Sequence, residues 1–249
     1  MKAQNLNQLL AWQPPAQEYI ISHGILVPQT KLVLYGRWQT WKSMLATHMA
    51  FTIASGLPWF GFTTTQSSTY TLQIEIPKAQ YQKRVIKFVA GNNLHPDNIY
   101  FRSEYYMKLD KAPNVADMKA ELLDSASQVL ILDPAYKIIT GKLVDEADIR
   151  RLEDELDRLI SDCKIAVVLI HHTRKVQIVD GQVYESPDDM FGQSILADWA
   201  DTMIRTNSTR IDRNTDRITL SFDKVRHAEE ALDPVRIDVT RSNLTFKVV

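Results

Sequence analysis

The stretch Leu32–Val33–Leu34–Tyr35–Gly36–Arg37–Trp38–Gln39–Thr40–Trp41–Lys42–Ser43 decides the fold. An apolar run leads into G-R-W-Q-T-W-K-S, one residue away from the phosphate-binding pattern G-x-x-x-x-G-K-[ST]. Trp41 stands where the second glycine belongs, while the lysine and the hydroxyl are kept. Such a loop turns successive amide N–H groups into one hollow that holds an anion, and the following helix adds the positive end of its dipole. The expected cradle is Gly36, Arg37, Trp38, Gln39, Thr40, Trp41, Lys42, Ser43 and Met44. Lys42 is expected to reach the β- and γ-phosphates of ATP, and Ser43 to bind Mg²⁺. Glycine is normally used at position 41 because the backbone there is crowded and unusual. A Trp at that place must aim its ring away from the phosphates, onto the helix, the base or a neighbouring subunit.

Outward from the loop, strands and helices alternate. Lys31–Tyr35 reads as a strand, and Trp41 to Ser55 as a helix stopped by Gly56 and Pro58. A strand is expected over Tyr70–Ile76, helices over Ala79–Val89 and Val115–Ser125, and a strand over Gln128–Leu132. A helix over Glu146–Ile160 follows, its Ile149, Leu152, Leu156, Leu159 and Ile160 at 3.6-residue spacing, then an apolar strand over Lys164–Ile170. Alternation on this scale predicts an α/β fold with a mostly parallel central sheet flanked by helices. Toward the end, Thr202–Thr206, Arg217–Phe222, Val235–Thr240 and Leu244–Val248 read as strands, the last pair joined at Arg241–Ser242–Asn243, which gives a strand-rich C-terminal end. Residues 1–18 read as an arm ending near Pro14–Pro15, and residues 19–249 as one domain.

Composition sets limits. The chain has 249 residues, enough for one large core. Its longest apolar run, Ile165 to Ile170, is too short to cross a membrane, and MKAQNLNQLLAWQPP lacks the apolar stretch of a signal peptide. The single Cys163 allows no internal disulfide and fits a cytoplasmic location. A net charge of −1 gives no global basic footprint for nucleic acid, although Lys78 to Lys111 is locally basic and Asp145 to Asp162 locally acidic.

In an open α/β sheet, ligands sit outside the carboxyl ends of the strands. Here the second strand is expected to end at Glu75, the third at Asp133 and the fourth at His171–His172. Asp133 fits an acid that holds Mg²⁺ opposite Ser43, and Glu75 a general base that orients the attacking water. His172, or else His171, fits a sensor of the γ-phosphate. Two adjacent histidines with one distant cysteine lack zinc spacing, and no G-x-S-x-G elbow supports a serine hydrolase.

Taken together, LVLYGRWQTWKS, LQIEIPK at 72–78, LILDPAYKIITG at 130–141, VVLIHHTRK at 167–175, FGQSILADWAD at 191–201 and Lys224–Val225–Arg226 resemble a known family. It is that of the RecA-like phosphate-loop ATPases related to the RepA hexameric helicase and, more distantly, DnaB. The resemblance covers about residues 14 to 227 and implies an ATP- and Mg²⁺-dependent ATPase. It implies a homo-oligomer, a ring or hexamer, working on single-stranded DNA in replication or recombination with other proteins of those processes, and helicase activity is its specific form. Lys224 and Arg226 resemble the K-x-R pair that reaches into the neighbouring subunit's ATP, and Arg174 and Lys175 lie in a loop that faces the pore in such rings. Trp41 departs from the pattern, as does the lack of an appended primase or DNA-binding domain. The rival expectations are a non-translocating ATP-dependent switch or loader and a degenerate phosphate-loop protein with reduced hydrolysis. A small-molecule kinase is disfavoured, since no Arg-rich lid is evident.

Overall fold

The computed structural model describes residues 3–13, 18–143, 145–173, 178–179, 182–183 and 193–249. Its elements are α1 (Leu6–Ala11), β1 (Lys31–Gly36), α2 (Lys42–Ser55), β2 (Thr69–Gln73), α3 (Lys78–Asn92), β3 (Ile99–Ser103), α4 (Ala112–Asp124), β4 (Val129–Asp133), α5 (Glu146–Cys163) and β5 (Ala166–His172). After a small hairpin of β6 (Ile178–Val179) and β7 (Gln182–Val183) come α6 (Gln193–Trp199), β8 (Thr202–Arg210), β9 (Thr215–Val225), β10 (Val235–Thr240) and β11 (Thr245–Val248). A nine-stranded sheet runs in the order β11-β10-β9-β8-β1-β5-β4-β2-β3. Strands from β8 to β3 in that order pair in parallel, and β8 to β11 pair antiparallel.

The period-2 geometry of the strands splits the core. Val33, Tyr35, Leu130, Leu132, Val167 and Leu169 face α4, α5 and α6. Their alternates Leu32, Leu34, Val129, Ile131, Val168 and Ile170 face the side of α2. The near-continuous apolar runs of β1, β4 and β5 follow from burial on both faces. The expected mostly parallel α/β architecture with a strand-rich end is therefore the observed one.

Several boundaries differ from expectation. The second strand stops at Gln73, so Glu75 lies two residues past it. Helix α5 runs to Cys163, and Lys164, read above as the start of a strand, instead caps it with φ 57. Leu244 has φ 57 and belongs to the turn before β11. The N-terminal arm carries a short helix, α1, closed by a capping box between Asn5 and Gln8. Strand β3, not foreseen, forms the sheet edge, where its residues are only partly covered.

Helix α2 is buried on nearly all sides. Thr47 and Thr52 satisfy their hydroxyls on the carbonyls one turn back. His48 stacks on Phe60 with ring centres 4.4 Å apart and leans on Phe88 and Phe246. Burial pushes the His48 imidazole down to about 3, from an ordinary value of 6.5. Between those values the unfolded chain takes up a proton that the folded chain refuses, so stability is lost as pH falls through that window. Urea unfolding at pH 7 and about pH 4.5 should show a loss on the order of 2–3 kcal/mol in the parent that His48→Phe lacks. Parallel losses in the two proteins would refute this assignment.

Candidate active site

The phosphate loop joins the centre of the sheet to the N-terminus of α2. Gly36 ends β1 with φ 155, and a Cβ there would lie 2.4 Å from the Thr206 carbonyl oxygen of β8. Only glycine permits so close a crossing. Thr40 Oγ1 pairs with Thr206 Oγ1 at 2.7 Å, which ties the loop to the same strand. Trp41 caps α2 in the left-handed region, with φ 66 and ψ 10. This is the conformation that glycine normally supplies, here adopted by an aromatic residue.

Lys42 is buried, and its ammonium donates to the carbonyls of Gly36 at 2.9 Å and Arg37 at 2.5 Å. Burial pushes its pKa down to about 8, with Asp133 and Glu75 pulling the other way. Ser43 follows in the first turn of α2. Asp133, at the carboxyl end of β4, is pushed up to about 6, first by burial. The Ser43 hydroxyl favours its charged form, whereas the Glu75 charge opposes it. Its Oδ1 is buried and has no hydrogen-bond partner among the described residues. An orphaned carboxylate oxygen beside a serine hydroxyl fits the hard-oxygen ligands of Mg²⁺. Among the described residues no cluster of three His, Cys, Asp or Glu side chains could hold a metal without such help.

Glu75 is exposed and accepts a hydrogen bond from the Tyr136 hydroxyl at 3.1 Å. His172 packs edge-on to the Tyr136 ring, 5.8 Å between centres. Its pKa is lowered by burial and by the nearby Lys42, which favours a neutral imidazole. His171 is 1% exposed and lines a separate cavity beside Tyr136 and Leu143. The strand alternation thus leaves His172 as the member of the pair that lines the cleft over the loop.

That cleft encloses about 630 Å³ and is lined by Gln39 through Met44, His172, Arg84, Lys87, Arg210, Arg241 and Leu244. Among the described residues its walls carry the cations Lys42, Arg84, Lys87, Arg210 and Arg241 and no acid, which suits a polyphosphate. The C-terminal strands form one wall. Lys87 donates to the Arg241 carbonyl at 2.6 Å, and a Cβ on Gly91 would meet the Asn243 carbonyl oxygen at 2.0 Å, so α3 and the β10–β11 turn are in contact.

The structure brings Lys42, Ser43, Glu75, Asp133 and His172 to one edge of the sheet. Trp38 is 65% exposed and is not among the lining residues. Lys224 and Arg226 lie elsewhere. Gly36 pairs with Thr206, but Val225 pairs with Thr202 at the start of β8, so the K-x-R segment sits at the opposite edge. There Lys224 donates to the Ala197 carbonyl at 2.7 Å, and Arg226 holds Asp201 at 2.8 Å. Arg174 and Lys175 lie outside the described residues. Sequence reasoning missed Tyr136, Arg84, Lys87, Arg210 and Arg241. The basic stretch from Lys78 was a signal for the α3 pair, and Tyr136 follows Asp133–Pro134 directly.

A mostly parallel sheet with helices on both faces, a phosphate loop at its centre and an acid at the end of β4, one strand removed from β1 across β5, defines the RecA-like ATPase fold. The chain belongs to the AAA domain family AAA_25, which matches residues 2–177. Among solved structures it is similar to the ATPase domain of another protein, at 11% identity over 94% of this chain and 93% of that one, with a TM-score of 0.69. It is also similar to the KaiC-like protein PH0186 from Pyrococcus horikoshii OT3, at 12% identity over 95% of this chain and 100% of that one, with a TM-score of 0.59. No curated protein matches the sequence. Among the described residues no helix is long and apolar enough to cross a membrane.

Proposed function

We propose that this chain is an ATP- and Mg²⁺-dependent ATPase that works as an oligomeric ring on single-stranded DNA in replication or recombination, with helicase activity as its specific form. The observation that carries the ATPase part is the convergence of Lys42, Ser43, Asp133, Glu75 and His172 at the carboxyl edge of the sheet. In this reading Lys42 leaves its loop carbonyls for the β- and γ-phosphates. Ser43 and Asp133 hold Mg²⁺, which supplies charge neutralisation for the phosphates. Glu75, steadied by Tyr136, orients a water and takes its proton. Neutral His172 offers a hydrogen bond to the γ-phosphate and reports its loss.

Two features support an oligomer. Lys224 and Arg226 are too far from their own phosphate loop to serve it, so as fingers they would serve a neighbour's. The α1 segment exposes Leu6, Leu9, Leu10 and Trp12, apolar surface that a second subunit would cover. Contact with DNA rests on the resemblance to ring helicases, in which the loop corresponding to the one that holds Arg174 and Lys175 faces the pore. The rival reading, a switch or loader that does not translocate, is favoured by one observation: Lys224 and Arg226 already hold partners on their own chain.

The test is the ATPase rate with and without a single-stranded oligonucleotide, beside a mass measurement with a non-hydrolysable ATP analogue. The ring reading expects faster turnover with DNA and a mass several times the 28.6 kDa of one chain. An unstimulated rate from a monomer would favour the switch.

A further inference from the structure

Trp41 connects the phosphate loop to a part of the chain far away in sequence. Its indole Nε1–H donates to Asp216 Oδ2 at 2.8 Å. The same oxygen meets Arg241 Nη2 at 2.5 Å, and Arg210 Nε lies 3.6 Å from Oδ1. The Arg241 guanidinium also lies over the indole, 5.4 Å from the ring centre. Asp216 is fully buried on β9, and the Trp41 ring packs between two apolar clusters. The arrangement fixes the ring by its edge, its face and its N–H together.

The backbone explains why such fixing matters. A bulky residue with φ 66 is a steric outlier that persists only when its surroundings over-determine it. Lys42 and Ser43 are the next two residues, so the turn at Trp41 sets where the ammonium and the hydroxyl point. The helix side offers Trp41 no side-chain cap bond. The hydrogen bond that anchors its side chain comes from β9.

We propose that Asp216 is a positioning residue for the phosphate loop: acting through the Trp41 indole, it holds the left-handed turn that aims Lys42 and Ser43 at nucleotide. The C-terminal strands thereby set the affinity of a loop that lacks its second glycine. This rests on the ATP reading above and extends the site to a residue outside every loop motif.

The test measures the Kd for a fluorescent N-methylanthraniloyl-ATP, with melting temperatures alongside, for Asp216→Ala, Trp41→Gly and the double variant. Asp216→Ala should weaken binding about 10-fold or more, the usual size of a lost hydrogen bond to a charged group. In the Trp41→Gly background the same change should move Kd by less than about 2-fold, because glycine takes the left-handed turn unaided. Asp216→Asn keeps an acceptor for the indole and should stay within about 3-fold of the parent. If Asp216→Ala does not fold, Trp41→Phe removes the N–H together with part of the ring, and it should weaken binding by at least a similar factor. An equal Asp216→Ala penalty in both backgrounds, or parental affinity in Trp41→Phe, would overturn the proposal while leaving ATP binding intact. A parent chain that does not bind the nucleotide at all would overturn the ATP reading itself.

Discussion

Glu75→Gln is expected to bind ATP as the parent chain does and to hydrolyse it about 10²–10⁴-fold more slowly, the usual range for losing a general base. The substitution keeps the shape of the side chain and an acceptor for the Tyr136 hydroxyl, which Glu75 now receives at 3.1 Å. It removes the charge that takes the proton from water. It also removes one of the charges that push the Asp133 pKa up, so Mg²⁺ binding should not weaken. The loss should therefore fall on turnover and leave nucleotide affinity alone. Single-turnover phosphate release beside a binding titration separates the two, and parental turnover in Glu75→Gln would remove it as the base.

Arg226→Ala is expected to bind ATP and to lose about 10³-fold or more in hydrolysis, since a finger acts on charge that develops in the transition state. Nothing in its own subunit's site predicts this, because Arg226 lies at the opposite edge of the sheet from Lys42. The change breaks the ion pair with Asp201, half-exposed on the arginine side, at an expected cost on the order of 1 kcal/mol. Asp201 keeps a second partner in the Lys31 amide at 3.0 Å, so the fold should survive. Mixing Arg226→Ala with Lys42→Ala should then restore part of the activity, because an intact loop on one subunit can meet an intact finger on the next. Tagged pull-down shows whether subunits exchange. No recovery despite exchange, or full activity of Arg226→Ala alone, would leave the switch as the better reading.

The residues differ in how openly the sequence displayed them. The central strands were plain because burial on both faces demands unbroken apolar runs, as in β4 and β5. Asp133 and His172 could be placed because each ends such a run. Glu75 lies at the same edge although the strand expected to carry it is shorter, since chain order alone puts it past β2. Strand β3 was missed because an edge strand has no strict burial pattern, and Ile99–Ser103 is partly exposed throughout. The outer half of β8 was missed for a related reason: Asn207 to Arg210 are polar and continue past the end of β1, paired with β9. The attachment of Trp41 was illegible. Its partner stands 175 residues away, and no local pattern marks Asp216 as a buried acid. The sequence reading foresaw that the ring must leave the phosphates, because sterics require it, but not where the ring would go.

The central claim is that a phosphate loop with Trp41 in place of glycine still works. Release of inorganic phosphate from ATP by the parent chain tests it most directly, beside Lys42→Ala and with Mg²⁺ present or chelated. Lys42 is the buried cation at the mouth of the loop, and Ser43 with Asp133 forms the oxygen pair beside it. The account predicts phosphate release that needs both Mg²⁺ and Lys42. No release by the parent, or equal release by Lys42→Ala, would contradict it.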